Sequence, residues 1–227
     1  MINCRDFDNL VVAIPAYNAE KTLGEVLKGI QKCFAPAQTI VIDDGSHDGT
    51  AAVARQQGVQ LLQHERNRGK GAALRTAFEY ILAKTPAPAV ISLDADGQHR
   101  PEELPKFIEA FVETSAALII GCRNFDPRVM PWERVMSNRI TSRLLSWKVG
   151  QHIRDSQSGY RLYSRSLLEK LALSTSGYET ESEIIIQAGK LGARIEFVSI
   201  DTVYNGETSY IRGVRDIGRF IRLYLSS

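Results

Sequence analysis

Asp94 and Asp96, two residues apart at the end of an apolar run, are the residues of this chain best suited to chemistry. They stand in Leu93-Asp94-Ala95-Asp96-Gly97-Gln98-His99, just after Ala89-Val90-Ile91. Strand side chains alternate faces, so both carboxylates are expected to project the same way from a strand end. So close together, they repel each other unless a cation sits between them. Oxygen ligands of this kind suit Mg²⁺ or Mn²⁺, and Mg²⁺ is commonly shared between one or two carboxylates and substrate phosphates. Gly97 permits a sharp turn, and Gln98 adds a neutral oxygen. A solvated turn would explain one such pair in isolation. Three further polar clusters argue for a site.

The first is Ile14-Pro15-Ala16-Tyr17-Asn18-Ala19-Glu20. Pro15 has no N–H for a ladder, so the chain should leave the sheet there. Tyr17 offers a ring for a base to stack on, and Asn18 and Glu20 offer hydrogen bonds. The second is Val41-Ile42-Asp43-Asp44-Gly45-Ser46-His47-Asp48-Gly49-Thr50. Ser46 or Asp48 caps the helix that follows. That leaves Asp43 and Asp44 at a strand terminus, placed to accept hydrogen bonds from a base or ribose. A calcium loop starting at Asp44 fails, because Arg55 stands where its bidentate Glu belongs. The third is Asn67-Arg68-Gly69-Lys70-Gly71. It lacks the spacing of a Walker loop, yet it sets two glycines and a cation at a helix N-terminus, a natural anion site. A plain turn explains it equally well.

The elements that must position these clusters follow from periodicity. Strand-like apolar runs at 10–14, 39–42, 59–62, 89–93 and 118–120 alternate with helical patterns at 22–33, 46–58, 71–84 and 101–114. Near-continuous apolar strands separated by helices predict an α/β fold, a mostly parallel central sheet with helices on both faces. Ligands of such sheets bind outside the carboxyl ends of the strands, where every polar cluster falls. After Met130 the pattern is less regular and is taken as a second half packed on the same sheet.

Composition bounds the rest. The chain has 227 residues, a formal net charge of +2 and 24% charged residues, which fits one ordinary domain and not a nucleic-acid binder with a broad basic face. Cys4, Cys33 and Cys122 are odd in number and widely spaced, which argues against a disulfide framework or zinc site and for a reducing, cytoplasmic setting. The first eight residues do not form a signal peptide, and no apolar run approaches the roughly 20 residues that span a bilayer.

Together the four clusters, in this order and spacing, resemble the nucleotide-binding half of a family 2 glycosyltransferase with the GT-A fold. The resemblance is closest to the dolichol-phosphate mannose synthase and polyprenyl-phosphate glycosyltransferase branch. Downstream, Gly121-Cys122-Arg123, Asp155-Ser156-Gln157-Ser158-Gly159-Tyr160-Arg161 and Tyr178-Glu179-Thr180-Glu181 also resemble that branch, so the likeness covers most of the chain. It implies a single GT-A domain, a Rossmann-like sandwich with a nucleotide-sugar half at about 8–123 and an acceptor half at about 124–227. It implies inverting, metal-dependent transfer from a nucleoside-diphosphate sugar, GDP- or UDP-linked, to a polyprenyl phosphate. Asp96 and Gln98 would hold Mg²⁺ or Mn²⁺, with Asp94 on the metal or the ribose. Pro15, Tyr17, Asn18, Glu20, Asp43, Asp44, Lys70 and Ala95 would surround the donor. Arg123 would lie near the diphosphate or the acceptor phosphate, with Gln157 and Ser209 on the acceptor side.

A phosphate acceptor, with a second pKa of about 6, is already anionic and needs cations more than a base. For a hydroxyl acceptor on a glycan or small molecule, Asp155 is the best base candidate, unless it serves as a cap or pairs with Arg154 or Arg161. A nucleotidyltransferase or a non-catalytic sugar-nucleotide binder fits less well. The carboxyl end departs from the branch, because Tyr204 and Tyr210 stand where Arg and Lys are expected, leaving Arg212 or Arg215 to substitute. In the last helix Arg212, Arg215, Arg219 and Arg222 form one stripe opposite Val214, Ile217, Ile221 and Leu225. The reading favours a surface helix packed by its apolar side with the arginines solvated, over a helix lying on the cytoplasmic face of a membrane. The segment 130–149 reads as core or as the edge of a groove for a lipid chain.

Overall fold

The computed structural model describes residues 9–124, 132–201 and 213–226, without the side chains of 133–134 and 213–217. Seven strands form one sheet in the order β3-β2-β1-β4-β6-β5-β7. They are β1 (Val11–Ala16), β2 (Thr39–Asp43), β3 (Gln60–Gln63), β4 (Ala89–Ser92), β5 (Leu118–Arg123), β6 (Arg161–Ser164) and β7 (Ile195–Ile200). Between and after them run α1 (Glu20–Ile30), α2 (Thr50–Gln56), α3 (Lys70–Lys84), α4 (Leu104–Thr114), α5 (Trp132–Val149), α6 (Arg165–Leu168), α7 (Thr180–Lys190) and α8 (Gly213–Ser226). The expected α/β class and mostly parallel sheet are what the chain forms.

Alternation along β1 shows why its run is apolar throughout. Val12 and Ile14 pack with Leu23, Leu27 and Ile30 of α1 and Phe107 and Ile108 of α4. Val11 and Ala13 pack on the opposite face with Leu74, Phe78 and Ile81 of α3 and Ile184 and Ile185 of α7. Each such fully buried aliphatic side chain contributes about 1.5–3 kcal/mol relative to exposure. Pro15 does not end β1 as expected. It pairs with Ile42 of β2. The Ala13 carbonyl accepts from Leu93 on the β4 side, and backbone groups alternate sides along a strand, so Pro15 also faces β4. Pairing with β4 stops at Ala13, so no ladder bond requires the missing N–H.

One strand runs against the rest. β6 is antiparallel to both neighbours, with Arg161 beside Ser92 of β4 and Ile120 of β5. Parallel strands present their exits at the carboxyl edge, whereas β6 presents its entry there. The loop leading into β6, residues 155–160, therefore meets the ends of β4 and β5. No periodicity in the sequence announces this reversal.

Candidate active site

The carboxyl edge of the sheet is assembled by loops that hydrogen-bond one another. Asn18 donates its N–H to Ser46 Oγ (2.9 Å), and its Oδ1 accepts from His47 N (2.9 Å). The Ala19 N–H reaches Thr50 Oγ1 (2.8 Å), Glu20 N–H reaches Asp48 Oδ2 (3.1 Å), and Glu20 Oε2 accepts from Gly49 N (3.1 Å). Asp48 also accepts from Thr50 N (3.0 Å) at the start of α2, but the N-cap position is Gly49, so neither Ser46 nor Asp48 is the cap that was expected, and Ser46 serves the neighbouring loop. Thr22 Oγ1 donates to the Ala95 carbonyl (2.7 Å), tying α1 to the acidic turn. Asn18, Glu20 and Ala95, expected on the donor, thus spend these polar atoms on aligning loops. Tyr17 stays half-buried beside them.

Asp43 and Asp44 are both buried. Asp43 accepts from Ser46 N (3.0 Å) and Gln63 Nε2 (3.1 Å). Asp44 accepts from Arg68 N (2.9 Å) and Gly69 N (2.8 Å) and pairs with His64 Nδ1 (2.6 Å). The anion that the glycine-rich turn before α3 receives is therefore the chain's own Asp44, which corrects the expectation of an open anion site there.

The two carboxylates of the acidic turn differ sharply. β4 ends at Ser92, so Asp94 and Asp96 lie in the following turn and not on an alternating strand end. Gly97 takes φ +75°, a left-handed conformation that glycine adopts without strain. Asp94 Oδ1 lies 2.6 Å from Lys70 Nζ, its Oδ2 is 3.5 Å from His99 Nε2, and Lys70 Nζ also lies 2.8 Å from Glu181 Oε1. Burial pushes the Asp94 carboxyl up, but Lys70 and His99 outweigh it and hold the group well below the usual carboxylate range. Burial likewise works against the Lys70 charge, and Asp94 and Glu181 overcome it. The charge of Lys70 is thus compensated within the protein, which makes it a partner of Asp94 before it is a donor ligand. Asp96 is pushed up by burial and then by Asp94, and the Gln98 N–H at 2.9 Å opposes the shift only in part.

Gly159, on the loop entering β6, closes over this cluster. A Cβ there would lie 2.5 Å from Asp94 Oδ2 and 2.6 Å from Lys70 Nζ. The same loop brings Asp155 to the end of β5. Arg123 grips it with Nε at 2.8 Å and Nη2 at 3.0 Å, its backbone N–H adds a contact at 3.2 Å, and Gln157 N another at 3.1 Å. Burial raises the Asp155 carboxyl, and Arg123 more than reverses that, leaving it lowered. A carboxylate so occupied is a poor general base, and its partner is Arg123, not Arg154 or Arg161. Gln157 Nε2 turns to Ser137 Oγ (3.3 Å) and Thr141 Oγ1 (3.4 Å) of α5. Ser209 and Arg212 lie outside the described residues.

Two residues without an assigned role in the sequence organise the site. Glu181, in the first turn of α7, is the second partner of Lys70. Arg161, fully buried, donates to the carbonyls of Ser158 (2.7 Å), Ser156 (2.8 Å) and Glu181 (2.8 Å), clamping the entering loop to α7. Both stand in strings quoted for the resemblance, but no spacing rule joins them to Asp94.

A mostly parallel α/β sheet whose carboxyl edge gathers acidic and cationic side chains places the candidate site where ligands of doubly wound folds bind. The model for Glycosyl transferase family 2 matches residues 11–172. The chain is 32% identical over 231 residues to the UDP-N-acetylglucosamine–dolichyl-phosphate N-acetylglucosaminyltransferase of Methanococcus voltae, covering 91% of this chain and 90% of that one. It is 32% identical over 179 residues to the polyprenol monophosphomannose synthase of Mycolicibacterium smegmatis, covering 75% of this chain and 67% of the other. The chain belongs to glycosyltransferase family 2 and is a glycosyltransferase. Its GT-A fold matches glucosyl-3-phosphoglycerate synthase of Mycobacterium tuberculosis, solved with Mn²⁺, UDP-glucose and phosphoglyceric acid, at a TM-score of 0.75 and 22% identity over 98% of this chain and 80% of that one.

Proposed function

We propose that this chain transfers a sugar, with inversion, from a nucleoside-diphosphate sugar to a polyprenyl phosphate in a metal-dependent reaction. The observation that carries the acceptor is the occupation of Asp155. Its oxygens serve Arg123 and Gln157, so the best base candidate is engaged. A hydroxyl acceptor needs a base to take its proton, whereas a phosphate monoester arrives as an anion, with a second pKa of about 6. Arg123, oriented by Asp155, would turn the rest of its guanidinium toward such an acceptor, with its charge partly balanced by that carboxylate. The names of the relatives in M. voltae and M. smegmatis support the same choice.

The donor set fits a hard divalent cation. Asp96 and Gln98 supply oxygens, and the charge of Asp96 is opposed by burial and by Asp94. Among the described residues no group of three or more His, Cys, Asp or Glu forms a self-contained cage, so most of the coordination shell would fall to substrate oxygens and water. When bound there, Mg²⁺ or Mn²⁺ supplies Lewis-acid neutralisation of the charge that collects on the departing diphosphate. Lys70, His99 and Glu181 hold Asp94 in one orientation for the ribose. Tyr17 and Asp43 face the base beside the end of β1, and Asp44 holds the 66–69 turn in place. The donor half spans about 8–123 and the acceptor half about 124–227 of one domain.

The test is incubation with labelled GDP-, UDP- and dTDP-sugars, Mn²⁺ or Mg²⁺, and undecaprenyl phosphate, followed by organic extraction. Label should enter the lipid phase only with metal present, and NMR of the product should show the inverted anomer. Transfer to a soluble hydroxyl acceptor with none to the lipid phosphate would overturn the acceptor assignment.

A further inference from the structure

We propose that His64 is a positioning residue of the donor site, setting Lys70 against Asp94 by way of Asp44 and α3. This rests on the donor half of the reading above, in which Asp94 is held in one orientation for a nucleoside-diphosphate sugar, and not on the identity of the acceptor.

His64 follows β3 directly and still belongs to the ladder, because its N–H donates to the Asp43 carbonyl (2.9 Å). Its ring is therefore carried by backbone that the sheet holds. Nδ1 lies 2.6 Å from Asp44 Oδ1, and Nε2 lies 3.0 Å from Thr76 Oγ1 of α3. Asp44 already accepts from the Arg68 and Gly69 N–H groups, so Nδ1 donates to it. The Thr76 hydroxyl, donor and acceptor in one group, meets Nε2 whether or not that nitrogen carries a proton. The side chains of His64 and Asp44 are only 5% and 4% exposed, so little water stands ready to replace either bond. Glu65, Arg66 and Arg68 flank the turn but are exposed, where water screens their charges. The fastening falls to His64 and Asp44.

What these bonds hold is the start of α3. Gly69 precedes the helix with φ +96°, and a Cβ there would lie 2.4 Å from the Ser176 carbonyl oxygen. That oxygen accepts from the Ala72 N–H (3.2 Å). The first turn is thus gripped from two sides, by Asp44 at Arg68 and Gly69 and by Ser176 at Ala72. Lys70, the first residue of α3, leaves between these grips and reaches Asp94 Oδ1 at 2.6 Å and Glu181 Oε1 at 2.8 Å. Without His64 the buried Asp44 carboxylate would be short of one donor. It would turn or draw in water, and the backbone it holds would shift with it. Lys70 would shift too, and with it the orientation of Asp94. Thr76, further along the same helix, ties the ring to α3 itself, so His64 fixes carboxylate and helix relative to one another.

The experiment is calorimetry without acceptor: UDP, GDP and dTDP are each titrated into the full chain with Mn²⁺, and the tightest binder is carried forward. A parent that binds none of the three overturns the donor reading and this proposal with it; every other result bears on His64 alone. His64→Leu, which loses both bonds, should raise the Kd about fivefold or more. His64→Asn sets an amide N–H where Nδ1 stood and should recover most of that loss. His64→Gln, which reaches only the place of Nε2, should not. Thr76→Val should raise the Kd less than His64→Leu does. Because His64 acts through Asp44, combining Asp44→Asn with His64→Leu should cost less than the sum of the two single effects. A merely structural loss behaves otherwise: unfolded protein is silent, so the binding stoichiometry falls while the Kd of the folded fraction stays at the parent's value. The proposal is overturned if His64→Leu binds with the parent's Kd, if His64→Asn is no better than His64→Leu, or if the His64 and Asp44 effects add. Where His64→Leu does not fold, His64→Asn against His64→Gln decides, and equal Kd values overturn the proposal.

Discussion

Replacing Lys70 with Met removes the ammonium 2.6 Å from Asp94 and 2.8 Å from Glu181, in a cluster whose three side chains are 15%, 24% and 6% exposed. Little water is present to take over. Breaking a buried ion pair from one side costs about 3–5 kcal/mol, and a single unit-charge pair at 4 Å is worth about 4 kcal/mol at an effective dielectric of ~20. Against a total stability of about 5–15 kcal/mol this is a large loss. At about 2–4 °C per kcal/mol for a chain of this size, the melting temperature at pH 7 should fall by about 6–20 °C. The pH dependence identifies the cause. In the parent, the depressed Asp94 carboxyl contributes stability that is present above its ordinary value and lost only as pH falls through its lower folded value. In the variant Asp94 loses Lys70, the largest influence that opposes its burial, so the penalty of its stranded charge is present at neutral pH and relieved as protonation removes that charge. The gap between parent and variant should therefore narrow as pH falls below neutrality, and adding Glu181→Gln to the variant should recover part of the loss at pH 7. Melts followed by circular dichroism decide it. A fall under about 2 °C at pH 7, or a gap independent of pH, would refute the reasoning.

Asp96→Asn should abolish metal-dependent turnover while leaving the melt close to the parent, since the charge it removes is one that burial and Asp94 already oppose; near-normal turnover would remove it from the metal site. Gly159→Ala, forcing a methyl against Asp94 and Lys70, should cost about 1–3 kcal/mol of stability at most, because flexible side-chain ends can shift. Its turnover should nonetheless fall by about a hundredfold, the effect of a displacement near 1 Å in a positioned group; unchanged turnover would show that Asp94 needs no fixed orientation. Asp155→Asn releases Arg123 and should raise the acceptor KM more than the donor KM. It should also destabilise by about 3–5 kcal/mol at pH 7, a difference that fades only as pH falls below the usual carboxylate range toward the lowered folded value of Asp155. Equal changes in the two KM values would place Arg123 away from the acceptor.

The sequence by itself determined the architecture of β1 to β5 and the helices between them, because its signals are local. Five apolar runs and the helical spacing of Leu23, Val26, Leu27 and Ile30 require only neighbouring residues to be read, and they placed the polar clusters at the carboxyl edge. Local reasoning failed where partners come from distant elements. Asp94 meets Lys70 and Glu181 because β4, α3 and α7 converge at one edge, and Asp155 meets Arg123 because β6 enters the sheet antiparallel beside β5. No spacing in the chain encodes either pairing. Nor could an amphipathic pattern say which side of α8 faces inward. Two stripes compete for the core on that helix, and the packing of Phe220 and Leu223 against the domain decides the outcome.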